Sequence, residues 1–124
     1  ITNYQFVHFT NIDRPYPEIL TDVAAEWKRI DGEYKIPYFP HVSVGWDNNP
    51  RFHKFRPGIM KDTTPENIEK ALRMAKEYVD THNLPAPLVT INSWNEWTET
   101  SYLEPDDLNG YGYLEAVRRV FLGK

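Results

Sequence analysis

Apolar and polar positions along the chain follow two alternating periods. Tyr4, Phe6, Val7 and Phe9 make residues 4–9 rich in aromatic and β-branched side chains, which predicts a short strand. Two prolines and an aspartate between 11 and 17 predict a connecting loop. Ile19, Leu20, Val23, Ala24, Trp27 and Ile30 then place one apolar stripe on a helix over 18–30, with Asp31 and Gly32 as its stop. The cycle repeats. Pro37 and Pro40 confine the paired part of a second strand to His41, Val42, Ser43 and Val44. A loop over 45–51 and an irregular segment to Asp62 follow. Thr64 as cap with Pro65 at the first helical position starts a second helix, or Thr63 caps it with Glu66 closing a capping box. Ile68, Leu72, Ala75 and Val79 carry that helix to about His82. A third strand is predicted over 88–92. From Gly112 a third helix places Leu114, Val117 and Phe121 on one face, with Ala116 and Val120 beside them.

Strand and helix alternate roughly every 40 residues, a pattern of parallel strands joined by right-handed helical crossovers. Loops before strands are short and prolyl. Loops after strands are long and hold the Trp, Asp, Arg, Glu and Tyr residues. In parallel α/β folds the C-terminal ends of the strands carry the site. Three βα units are too few for a closed (β/α)8 barrel, which takes roughly 200–250 residues. The fold class is α/β, either as a small open sheet or as the C-terminal portion of such a barrel. Ile1, Thr2, Asn3 and Tyr4 match neither an initiator nor a signal peptide and read as the middle of a fold, which favours the barrel portion. Residues 1–124 read as a single α/β domain. A partial barrel leaves unpaired strand edges and an apolar inner surface, so the isolated chain is expected to be inactive and to self-associate.

Composition narrows the partners. At 124 residues the chain is long enough for a core that buries roughly two-thirds of its unfolded surface. The net charge of −4, with dispersed Lys and Arg, leaves no basic footprint for nucleic acid. The absence of cysteine excludes disulfides and thiolate metal sites. No apolar run approaches the ~18 residues of a membrane span. The compartment stays open, with bacterial cytoplasm or periplasm favoured. Aromatics at 15% fit a cleft where sugars stack, and equally an aromatic core.

The densest chemistry lies at Trp94, Asn95, Glu96, Trp97, Thr98 and Glu99, just after the third strand. Two carboxyl groups are what glycoside hydrolysis uses, one as acid and one as base or nucleophile. They work only if their environments separate the two pKa values, which Trp94 and Trp97 can do by excluding water. Three positions apart, they converge only if the chain turns after Trp94. The same pair reads equally as two solvated loop glutamates. Trp46, Asp47 and Arg51 can offer a stacking face and charged donors or acceptors to a sugar. They also read as a buried Trp beside an Asp–Asn turn that caps itself. His8, His41, His53 and His82 lack metal-ligand spacing. His41 reads as a satisfied core histidine, and His82 suits a helix C-terminus. No glycine-rich phosphate loop or nucleophile elbow is present, so no cofactor or metal is expected.

Residues 94–99 with Tyr102, Leu103, Glu104, Pro105 and Asp106 resemble the C-terminal motif of the WbsX-like proteins, bacterial relatives of the endo-α-mannosidases of glycoside hydrolase family 99. Val44, Gly45, Trp46, Asp47, Asn48, Asn49, Pro50 and Arg51 resemble their preceding segment, and residues 110–116 the start of their last helix. The resemblance spans 42–118. It implies a (β/α)8 barrel of which this chain is the last three units. It also implies retaining hydrolysis of α-mannoside-type glycans, or glycosyl transfer in lipopolysaccharide assembly. Glu96 would then be the base that assists attack by the sugar's own 2-hydroxyl, and Glu99 the acid. Trp94, Asn95 and Trp97 would shape the site, and Tyr102 and Glu104 would line its edge. Two positions depart from the pattern: Thr98 replaces a His, and Thr100 stands where a Gly is usual.

Overall fold

The computed structural model describes residues 1–123. Three helices and one short parallel sheet form its frame. Helix α1 spans Tyr16–Glu33 and buries Tyr16, Ile19, Val23, Trp27 and Ile30, the stripe read from the sequence. It runs past the expected stop at Asp31 and Gly32. Gly32 takes helical geometry there, and Arg29 ties the last turn down by pairing with Glu26 at 2.8 Å and with Glu33. Helix α2 spans Pro65–Thr81, and the Oγ1 of Thr64 accepts from the Asn67 N–H at 3.3 Å, so the Thr64 cap is the one used. Helix α3 spans Gly112–Leu122. Its buried stripe is Tyr113, Ala116 and Val120, one residue round from the expected face, and Phe121 is exposed. Gly112 starts the helix against the side-chain ring of Pro65, where a Cβ would lie 2.7 Å from that ring.

Strand β1 (His41–Ser43) pairs in parallel with β2 (Thr90–Asn92), in the register His41 to Thr90 and Ser43 to Asn92. Bonds from the Thr90 N–H to Pro40 and from the Val44 N–H to Asn92 extend the ladder at 3.0 and 3.1 Å. Successive side chains of a strand face opposite ways. Val42 and Val44 therefore join the helical core, while His41, Ser43, Thr90 and Asn92 share the other face. That face is polar, which corrects the expected apolar inner surface.

The predicted strand over 4–9 does not form. Phe6–His8 is a 3-10 turn that crosses the polar face of the sheet. The side chains of β1 and β2 supply the partners that a strand edge would have given. The Phe6 N–H donates to the Ser43 hydroxyl at 3.0 Å, and the Gln5 amide donates to Asn92 at 3.1 Å. The sheet therefore has two strands where three were expected. Among the described residues no helix is long and apolar enough to cross a membrane.

Candidate active site at the end of the second strand

Strand β2 ends at Asn92 and the chain folds back on itself at once. Strand β3 (Asn95–Glu96) pairs antiparallel with β4 (Ser101–Tyr102), and a 3-10 turn over Trp97–Glu99 joins them. The reversal thus falls after Glu96 rather than directly after Trp94. Thr100 closes it in the left-handed region at φ 52°. The resemblance puts a Gly at this position, and a residue without a Cβ takes the left-handed conformation at no steric cost. Thr100 keeps the turn with a bond from its hydroxyl to the Asp47 carbonyl at 3.1 Å.

The hairpin rests on the loop after β1. A Cβ at Gly45 would lie 2.1 Å from the Thr100 carbonyl oxygen, so the two backbones touch only because Gly45 has none. The Asp47 N–H donates to the Glu99 carbonyl at 2.8 Å. From below, the Ser101 hydroxyl donates toward Asn92 and receives from Gln5 at 3.3 Å, and the Ser93 hydroxyl donates to the Ser101 carbonyl at 2.7 Å.

These supports bring three charges together. Arg51 ends a 3-10 turn over Asn49–Arg51. Its Nη1 reaches Glu99 Oε1 at 2.8 Å, its Nη2 reaches Glu96 Oε1 at 3.2 Å, and its Nε donates to Thr98 Oγ1 at 2.8 Å. The Thr98 hydroxyl donates in turn to Glu96 Oε1 at 2.5 Å. The two carboxylates have unlike surroundings. Glu96 is half-exposed, and the Thr98 hydroxyl, with Arg51 beside it, holds its carboxyl below the usual range. Glu99 is 9% exposed, and its Oε2 is buried with no hydrogen-bond partner. A buried carboxylate oxygen without a donor is costly, so this oxygen has an unmet demand for a hydrogen-bond donor.

The aromatic residues divide. Trp97 is 44% exposed and stacks on Tyr102 with ring centroids 3.9 Å apart, and its indole N–H donates to Glu104 at 2.7 Å. Burial and the Asp106 carboxylate beside it push the Tyr102 hydroxyl up. Trp94 is 52% exposed and Asn95 is exposed, neither using its side chain in a hydrogen bond among the described residues. The two indoles therefore do not wall water away from a carboxylate, as the sequence suggested; they stand open to solvent beside the pair. Trp46 packs half-buried against the core, and Asp47 caps its own turn by accepting from the Asn49 N–H at 2.9 Å and from the Asn49 amide at 2.7 Å. Of the early-loop candidates, only Arg51 reaches the glutamate side chains; Asp47 meets Glu99 through the backbone alone.

Sequence reading missed the part played by Thr98, which stood out only as a departure from a family pattern. It also missed Gly45 and Ser101, which hold the hairpin in place. The one signal for Thr98 was its place between two glutamates.

The structure defines a mixed α/β protein in which two carboxylates meet one arginine beyond the C-terminal ends of its parallel strands. The chain belongs to the family described as Glycosyltransferase WbsX, which matches residues 2–117. It is also 36% identical over 83 residues to an uncharacterized protein WxcX of Xanthomonas campestris pv. campestris strain B100. That alignment takes in 65% of this chain and 12% of the relative. The protein of the same name from strain ATCC 33913 aligns with the same figures. The chain thus spans a small part of the curated relatives it matches. No solved structure matches it.

Proposed function

We propose that residues 94–104 and Arg51 form one wall of a carbohydrate-active site that cleaves α-linked, mannoside-type glycans with retention. The observation that carries this is the convergence of Glu96 and Glu99 on one guanidinium while their exposures differ. Unlike environments are what assign unlike roles to two carboxyl groups. Glu96, held ionised and open, is the base that takes the proton of the sugar's 2-hydroxyl as that oxygen closes on the anomeric carbon. Glu99 is the acid that gives a proton to the departing oxygen, and its carboxylate then activates water. Trp97, braced by Tyr102 and Glu104, offers a flat face to a pyranose ring. Trp94 and Asn95 stand free beside it for further contacts. Trp46 and Asp47 act on the sugar through the loop they shape.

The parallel β1–β2 pair, with helices on its apolar face and the site at its C-terminal end, supports placing residues 1–124 in the last units of a (β/α)8 barrel. The outer edge of β2 and the exposed Leu88 and Leu122 support self-association of the isolated chain. Sedimentation of that chain as a monomer at high concentration contradicts this.

The test of function uses the full-length protein with α-linked mannooligosaccharides. Cleavage is expected, with the α-anomer appearing first in the proton NMR spectrum. Glu99→Gln is expected to lower the rate at least ~10²-fold. Undiminished turnover by that variant removes Glu99 as the acid. A second reading, glycosyl transfer, is favoured by the family's description. Consumption of a nucleotide sugar with no cleavage of glycan decides for transfer.

A further inference from the structure

We infer that Arg51 is the positioning residue of the carboxylate pair: its guanidinium fixes Glu96 and Glu99 relative to one another across two loops and takes no sugar hydroxyl. The inference deepens the proposed function and rests on Glu96 and Glu99 being the reacting pair. Each of the three guanidinium nitrogens already has a partner on the hairpin, at Thr98, Glu99 and Glu96. Three of the five N–H donors of the guanidinium, one from each nitrogen, are committed to the hairpin. Arg51 spends its planar fork on side chains 45 to 48 positions away in the chain.

The geometry is specific to arginine. A lysine carries the same charge on one nitrogen and cannot reach Thr98, Glu96 and Glu99 from three directions. The clamp is also held from its own side. Asp47 accepts from both the N–H and the amide of Asn49, and the Asn49 amide binds the Arg56 carbonyl at 2.9 Å, which fixes the turn that ends in Arg51. The loop after β1 therefore presents one cation to the two anions of the hairpin, and the position of each carboxylate depends on the other loop.

The charged groups facing Glu96 are Arg51, from the turn after β1, and Glu99, from the hairpin itself; Thr98 adds a neutral donor. Thr98 and then Arg51 favour the ionised form of Glu96, and removing Arg51 leaves Thr98 alone to do so. Side-chain carboxyl carbons of the protein, labelled on glutamate, are followed by NMR from pH 2.5 to 7 in wild type, Arg51→Met and Arg51→Lys. The Glu96 midpoint is expected to move up in Arg51→Met. Arg51→Lys is expected to restore part of that shift without restoring the wild-type amide resonances of 96–100. This readout needs no activity, so it stands even if the proposed reaction fails. An unmoved Glu96 midpoint with unchanged hairpin resonances in Arg51→Met overturns the inference. In the full-length protein, Arg51→Lys is expected to lower kcat by roughly 10²-fold with little change in KM, as for misplaced catalytic groups. A raised KM with kcat intact makes Arg51 a sugar contact and overturns it as well.

Discussion

Two clusters of polar side chains lie one above the other in this molecule, and burial sets them apart. The lower cluster is the floor: Gln5, His41, Ser43, Asn92 and Ser101, all buried on the polar face of the β1–β2 sheet. Its members are neutral and bond to one another, with Gln5 Oε1 left without a partner among the described residues. The His41 ring reaches Thr90 at 2.9 Å and Ser43 at 3.1 Å, and Ser43 receives the Phe6 N–H. The upper cluster is the rim: Arg51, Glu96 and Glu99, charged, with the neutral Thr98 among them, and all but the buried Glu99 open to solvent. A buried network costs least when its groups are uncharged and partnered. A rim charge keeps its solvation and stays available to a ligand. The floor therefore holds the hairpin in place, and the rim is what it holds.

The contrast is sharpest under acid. Burial pushes the His41 ring down to about 4 from its ordinary 6.5. Between those values the unfolded chain binds a proton that the folded chain refuses, so stability falls as pH drops from 6.5 toward 4 and is independent of this group outside that window. The loss is about 3 kcal/mol in total. Urea unfolding of wild type and His41→Asn across that range is the measurement. The variant, weaker at pH 7, is expected to lack the slope above pH 4.5. An equal slope in both places the sensitivity elsewhere.

The junction of floor and rim comes next. Gly45→Ala sets a Cβ 2.1 Å from the Thr100 carbonyl, and backbone cannot yield there without moving the hairpin. A loss of about 1–3 kcal/mol is expected, with displaced amide resonances at 96–101. Thermal unfolding unchanged from wild type breaks the proposed contact between the two loops. Ser101→Ala leaves Gln5 and Asn92 short of a partner in the floor and is expected to cost about 1–2 kcal/mol. Thr100→Gly is the smallest effect. It relieves a β-branched residue at positive φ but loses the bond to the Asp47 carbonyl, and the two are expected to cancel to within about 0.5 kcal/mol.

The helices were legible because their signals are local. Thr64 with Pro65, and the stripe from Ile19 to Ile30, sit within one element each. Gly32 misled because a C-terminal glycine stops a helix only when the chain needs positive φ, and here Arg29 and Glu33 continue the last turn. Residues 4–9 have the composition of a strand. Whether they pair depends on an edge, and Ser43 offered a hydroxyl instead. The glutamates and Arg51 were each visible as candidates, each with a plain loop reading beside it. Their union depends on Gly45 letting two loops touch, and no spacing in the sequence encodes that contact.

The four tryptophans allow a direct test of whether the rim is a glycan site. Indole N–H resonances are followed while α-linked mannooligosaccharide is added. Trp97, stacked on Tyr102 and bonded to Glu104, and the open Trp94 are expected to shift together and saturate. Trp27, in the helical core, and Trp46, packed half-buried against it, are expected to stay. Saturable shifts at Trp94 and Trp97 alone place the sugar on the rim. No shift at high ligand concentration, or equal movement of all four, contradicts a glycan site at Glu96 and Glu99.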